Sequence, residues 1–261
     1  MARTDNRVAL VMAASKGLGR GGAEALARDG FDLVVCSRSV QSIESAASAL
    51  RAEGAEVEAV VADVANADEL AVVFERADAR FGRLDALVVN AGGPPPGAFM
   101  ASNDAQWETA FNLTLMSAIR AMRLGAERMR HSGYGRIVVI GSSSVKQPIE
   151  GLVLSNTFRP ALVGAMKTLS QEVAREGITV NMVSPGRVDT DRVRTLDTAR
   201  AQARNMPYED FRREYEQTIP AGRYGRPEEV GSLIAFLASE PAAYITGQSI
   251  IVDGGMLSAL P

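Results

Sequence analysis

Seven short runs rich in Val, Ile, Leu and Ala punctuate the chain: RVALVM (7–12), DLVVCS (32–37), EVEAVV (56–61), DALVVN (85–90), RIVVIG (136–141), ITVNMV (178–183) and QSIIVD (248–253). Their apolar content is near-continuous rather than alternating. That is the pattern of strands buried on both faces, as in a parallel sheet covered by helices. Longer segments of helical character lie between them, near 18–29, 41–53, 68–80, 104–131, 157–176 and 227–238. This βαβ alternation predicts an α/β protein built on one doubly wound parallel sheet of about seven strands, with helices on both faces. No internal repeat, low-complexity tract or interdomain linker interrupts it, so residues 1–261 read as a single domain.

One stretch breaks the rhythm. Residues 187–225 are charged and carry no clear buried strand. They are expected to form short helices over the edge of the sheet, and an insertion after a strand's carboxyl end is where a substrate lid would sit.

Composition narrows the function by exclusion. The net charge of −3 gives no electrostatic case for nucleic acid or an acidic membrane. The longest apolar runs are too short to cross a bilayer, and no h-region precedes the first glycines, so the expected compartment is the cytoplasm. The single cysteine, Cys36, excludes an intrachain disulfide and reads as a buried strand thiol. The single histidine, His131, stands at a predicted helix end and reads as solvated. With one of each, a Ser-His-Asp or Cys-His hydrolase and a His-based metal centre are disfavoured.

VALVMAASKGLGR places a small-residue loop directly between the first strand and the first helix. Such a loop lets backbone N–H groups approach a phosphate at a helix N-terminus. With VVNAGG, NMVSPGRVDT and GQSIIVDGG, it makes the chain resemble the short-chain dehydrogenase/reductase family over almost its whole length. The resemblance implies a Rossmann fold and a bound dinucleotide. It assigns cofactor contacts to the loop Ala13, Ser15, Lys16, Gly17, Leu18 and Gly19, to Asp63 and Val64 beside the adenine, and to Asn90, Ala91 and Gly92. It also assigns Pro185, Gly186, Val188 and Thr190 near the nicotinamide carboxamide. The family's Thr and first Gly are Met12 and Ala13 here, a change the turn is expected to survive if φ at Ala13 is negative. NAD-selective sites of this kind usually carry an acid near the end of the second strand. Here the strand ends in VVCSRS, so Ser37 and Arg38, with Lys16, predict a 2′-phosphate partner and hence NADPH.

The family's reaction moves a hydride between nicotinamide C4 and a carbonyl carbon, with Asn, Ser, Tyr and Lys as its usual machinery. Asn112 and Ser142 match the first two. The positions of the Tyr and Lys hold Ser155 and Arg159. A serine hydroxyl does not ionise usefully near neutrality, and Arg, with a pKa above about 12, does not release its proton. Neither replaces a tyrosine acid. Ser142 and Ser155 can still donate to a developing alkoxide, and Arg159 can bond the nicotinamide ribose and supply positive charge. General acid–base catalysis is worth roughly 3–5 kcal/mol and positioning about 7–11 kcal/mol, so loss of the acid slows such a reaction without abolishing it. The proton could come from water or from a substrate hydroxyl beside the ketone. Lys146, Tyr208, Tyr215 and Tyr224 are further candidate donors. The prolines of GGPPPG (92–97) either stiffen a loop or wall a flat substrate, and Pro160 either opens a helix or interrupts one.

The reading is therefore an atypical NADPH-dependent ketoreductase. Three lysines against 25 arginines suit a GC-rich genome and hint at a hydroxylated aromatic, polyketide-like substrate. A non-catalytic NADPH-binding sensor or partner protein is the alternative, and dehydration or isomerisation on the same scaffold is a third. The resemblance also implies a homo-oligomer, a tetramer packed through 104–131 and the helix after Arg159. Met116, Ile119, Met122 and Met166 are expected to supply apolar surface there.

Overall fold

The structure is a computed structural model that describes residues 6–258. The side chain of His131 lies outside the described residues, as do both chain ends. All seven expected strands form: β1 (Val8–Val11), β2 (Asp32–Ser37), β3 (Val57–Val61), β4 (Ala86–Val89), β5 (Gly135–Ile140), β6 (Ile178–Pro185) and β7 (Ser249–Val252). They pair in parallel throughout, in the order β3-β2-β1-β4-β5-β6-β7. The order reverses between β1 and β4, so a crevice opens there at the carboxyl ends of the strands.

Helices α1 (Gly17–Arg28), α2 (Val40–Ala52) and α9 (Pro227–Ala238) cover one face; α3 (Ala67–Phe81), α5 (Ser117–Met129) and α6 (Val153–Val173) cover the other. Alternate strand residues feed the two cores. Ala9, Val11, Leu33 and Val35 pack under α1 and α2 with Leu26, Ile43 and Leu50. Leu10, Met12, Leu87 and Met182 pack under the opposite layer with Phe74, Met129 and Met166. Helix starts follow local chemistry: Ser39, Asn66 and Thr190 each cap a helix by accepting from first-turn amides. The glycines of α1 let it lie against α9. A Cβ on Gly231 would come within 2.3 Å of the Gly21 carbonyl oxygen.

Three expectations change. The long segment 104–131 is not one helix. Helix α4 (Asp104–Ala110) and α5 are joined by a π-helical turn over Phe111–Met116, a one-residue insertion that apolar periodicity does not reveal. Helix α6 starts at Val153 rather than near 157, so Pro160 lies inside it and leaves the Asn156 carbonyl without its helical N–H partner. Met122 and Met166, expected on an outer packing face, belong to the subunit's own core. The insertion after β6 does fold as short helices, α7 (Asp191–Ala203) and α8 (Tyr208–Gln217), over the carboxyl end of the sheet.

Candidate active site

A cleft of about 750 Å³ runs along the carboxyl ends of β1–β6. At its centre the β1–α1 loop folds back under Cys36, whose carbonyl accepts from Ala14 N at 3.0 Å. Ala13 adopts φ +48°, so the condition under which the turn accepts an alanine without strain is not met. The position that holds glycine in the family's pattern is left-handed here, and the alanine costs about 1–2 kcal/mol of local strain. Asn90 Nδ2 donates to the Ala13 carbonyl at 3.3 Å and holds the turn. Gly19 does not line the cleft; it closes the packing behind it, since a Cβ there would lie 2.4 Å from Ala13 O and 2.7 Å from Asn90 Nδ2. The first-turn amides of α1 have no helical partners and face the loop, where a pyrophosphate would be held.

The other cofactor expectations fall on the cleft wall: Ser15, Lys16, Gly17 and Leu18; Ser37 and Arg38 at the end of β2; Asp63 and Val64 after β3; Asn90, Ala91 and Gly92 after β4; Pro185 at the end of β6, with Gly186, Val188 and Thr190 beyond it. No acid stands at the end of β2. Arg38 is exposed and has no carboxylate partner among the described residues, while exposed Lys16 meets exposed Asp191 at 3.5 Å. This donor set fits a 2′-phosphate. Cys36 is fully buried, which pushes its thiol up to about 11 and makes it inert.

The chemical end is built from β5 and α6. Ser142 follows β5, lines the cleft, and accepts from Ser144 N at 3.1 Å, which leaves its own proton free to donate. Ser155 and Arg159 sit one turn apart on α6, on the same face. Ser155 is buried; its Oγ accepts from Arg159 Nε at 3.2 Å and lies 3.5 Å from Ser144 Oγ. Arg159 Nη1 donates to the carbonyls of Ile140 and Gly141 at 3.0 and 2.9 Å. The pair thus braces α6 against the end of β5. Burial, with the nearby Arg192 charge, pulls the Arg159 guanidinium down to about 10, which still leaves it protonated at neutral pH.

Asn112 is placed otherwise than expected. It is exposed on the π-turn, its amide donates to Glu108 O at 3.1 Å, and it does not line the cleft; Leu113 does. Thr114 points inward instead, its hydroxyl buried and without a partner, on a small cavity it shares with Asn90 and Arg159. The expected donors also sort out. Lys146 is exposed and off the cleft wall, and Tyr208 is off the wall with its hydroxyl near Arg212. Tyr224 is buried and donates to Asp197 at 2.8 Å; burial and that carboxylate both push its pKa up. Of these four, only Tyr215 lines the cleft, beneath the Arg187 guanidinium at 4.1 Å.

The α7–α8 insertion contributes residues that sequence reasoning missed. Arg192, Leu196 and Arg200 line the cleft. Arg192 Nη2 donates to Pro94 O, and Arg200 Nη2 to Glu150 O at 2.8 Å, so α7 is tied across the mouth to the proline loop and to the loop before α6. Asp197, fully buried, anchors α7 by pairing with Arg187 at 2.7 Å.

A model of the enoyl-(acyl carrier protein) reductase family matches residues 12–257. The chain belongs to the short-chain dehydrogenase/reductase family. It is 34% identical over 252 residues to the 3-oxoacyl-[acyl-carrier-protein] reductase of Escherichia coli (strain K12), covering 97% of this chain and 98% of that protein. Among solved structures, a variant of actinorhodin polyketide ketoreductase with NADPH superposes with a TM-score of 0.94 at 32% identity, covering 98% of this chain and 99% of that one. L-sorbose reductase from Gluconobacter frateurii, complexed with NADPH and L-sorbose, gives 0.93 at 31%, with 99% of each chain covered.

Proposed function

We propose that the protein is an NADPH-dependent ketoreductase that works without a tyrosine acid. The observation that carries this is Ser142: it stands on the cleft wall with its hydroxyl proton uncommitted, while the Tyr-Lys pair is replaced by a Ser155-Arg159 brace. The relatives that are named as ketoreductases, and the neighbours solved with NADPH, support both the reaction and the cofactor.

NADPH supplies the hydride when bound. The chain's own task is to hold the carbonyl and stabilise the charge that grows on its oxygen. Ser142 Oγ donates to that oxygen, and the Arg159 charge below adds to the field. Ser155 is spent on Arg159 and acts as a positioning residue. The proton then comes from the substrate, from a phenol hydrogen-bonded to the ketone. A hydroxylated aromatic, polyketide-like ketone meets that need, and the wall of Pro94, Ile149, Leu152, Leu196 and Met256 gives it an apolar bed. Incubation with NADPH and a panel of hydroxylated aromatic ketones tests this through loss of NADPH absorbance.

A second reading, an NADPH-binding protein without turnover, draws on the same brace, because both replaced side chains are committed to internal bonds. Tight NADPH binding with no ketone reduced selects it.

The protein acts in the cytoplasm as a homo-oligomer, a tetramer. Among the described residues no helix is long and apolar enough to cross a membrane. The surface that supports association is aromatic rather than methionine-based. Phe99, Trp107, Phe158 and Phe111 form an edge-to-face series with centroids 5.8–6.0 Å apart, and Phe99 is 67% exposed.

A further inference from the structure

The arginines on and around the cleft differ in what they are paired with. Arg187, Arg194 and Arg212, on or beside the lid, each have a carboxylate within 3.1 Å. Arg159, Arg192 and Arg200, which line the cleft, have none among the described residues and bond only carbonyl or hydroxyl oxygens. Lys16 and Arg38 serve the 2′-phosphate end. Arg159 and Arg192 stand at the other end, one in the floor beside Ser142 and one in the roof beside Pro94.

Two guanidiniums held near one another without a counter-ion are costly, and burial lowers the pKa of both. The start of α7 is held without Arg192, by the Thr190 cap and the Asp197 anchor; Arg192 adds a single bond, to Pro94 O. Pro94 O takes one of the two Nη2 hydrogens of Arg192, which leaves one two-nitrogen edge of the guanidinium for a planar two-oxygen anion.

We propose that the ketone substrate carries a carboxylate, which pairs with Arg192 across the substrate end of the cleft, in the field of Arg159. Resting on the ketoreductase reading, this names an aromatic keto acid as the substrate class.

The test uses the full-length protein saturated with NADPH. It is titrated with an acetyl-hydroxybenzoate and with its methyl ester, read by nucleotide fluorescence and, separately, by turnover. The acid should bind about tenfold more tightly than the ester, or more, the worth of one charge-assisted pair. Arg192→Gln should erase that preference, weakening the acid about tenfold more than it weakens the ester or NADPH; Arg192→Lys, which keeps the charge, should retain part of it. Equal binding of acid and ester overturns the proposal. So does a loss of NADPH affinity in Arg192→Gln as large as the loss for the acid, because Arg192 would then serve the cofactor's pyrophosphate. The two readings fail separately. Acid that binds through Arg192 but is never reduced upholds the carboxylate site and removes the reductase. Ketones reduced with no preference for the acid do the reverse.

Discussion

Removing the carboxylate of Asp197 should release the α7–α8 insertion, the proposed lid. Asp197 is fully buried on α7 and holds Arg187 at 2.7 Å and the Tyr224 hydroxyl at 2.8 Å, while Arg187 lies 4.1 Å over the Tyr215 ring. One carboxylate therefore ties the end of β6, both lid helices and the segment before α9 together. Arg187 Nη2 is already buried without a partner, so nothing is in reserve to neutralise the guanidinium. Asp197→Ala strands that charge, which costs about 3–5 kcal/mol. For a chain of this size each kcal/mol lowers the midpoint by about 2–4 °C, so a fall of about 6–20 °C is expected if the lid unfolds with the rest. If the lid detaches by itself, the fall is smaller and residues 204–207, between α7 and α8, become sensitive to protease. Asp197→Asn keeps the volume and an acceptor for Tyr224, and should sit between the two. A midpoint within about 2 °C of the parent, with no gain in proteolysis, would refute the anchoring role.

Ser142→Ala should lower turnover by about ten- to a thousandfold with little change in NADPH affinity, and Ser155→Ala by less; single-turnover kinetics separate the two. Removing Lys16 and Arg38 together should weaken NADPH by about a hundredfold or more while sparing NADH, since each charge-assisted bond is worth about 1.5–3 kcal/mol; equal losses for the two cofactors would sink the NADPH assignment. Gly231→Ala, whose new Cβ would meet Gly21 O at 2.3 Å, should destabilise the α1–α9 contact, as read by thermal melting. Cys36, its thiol pushed up to about 11 by burial, stays neutral below that pH and should resist thiol reagents until the protein unfolds, as measured by labelling with and without denaturant.

The sheet was legible because its strands are buried on both faces and so spell themselves as unbroken apolar runs. The phosphate loop was legible because close backbone approach demands small residues at fixed spacing. What stayed hidden has physical reasons. The π-turn at Phe111–Met116 adds one residue without altering composition, and it turns Asn112 outward and Thr114 inward. The left-handed φ of Ala13 is a strained choice that propensity argues against. That Ser155 is spent on Arg159 depends on where α6 begins, four residues before the expected start. The lid arginines looked like ordinary surface charge; only pairing distances separate Arg187, which has a carboxylate, from Arg192, which has none.

In the proposed reduction Ser142 bonds the carbonyl oxygen and the proton is drawn from the substrate. The direct measurement compares kcat/KM, with NADPH, for an aromatic ketone bearing a hydroxyl hydrogen-bonded to its carbonyl and for the same ketone with that hydroxyl methylated. Methylation should lower the rate by about 10²–10⁴, the worth of a lost general acid. Equal rates would contradict it: the proton would then come from the protein, and Tyr215, the tyrosine on the cleft wall among the expected donors, would be the group to replace next.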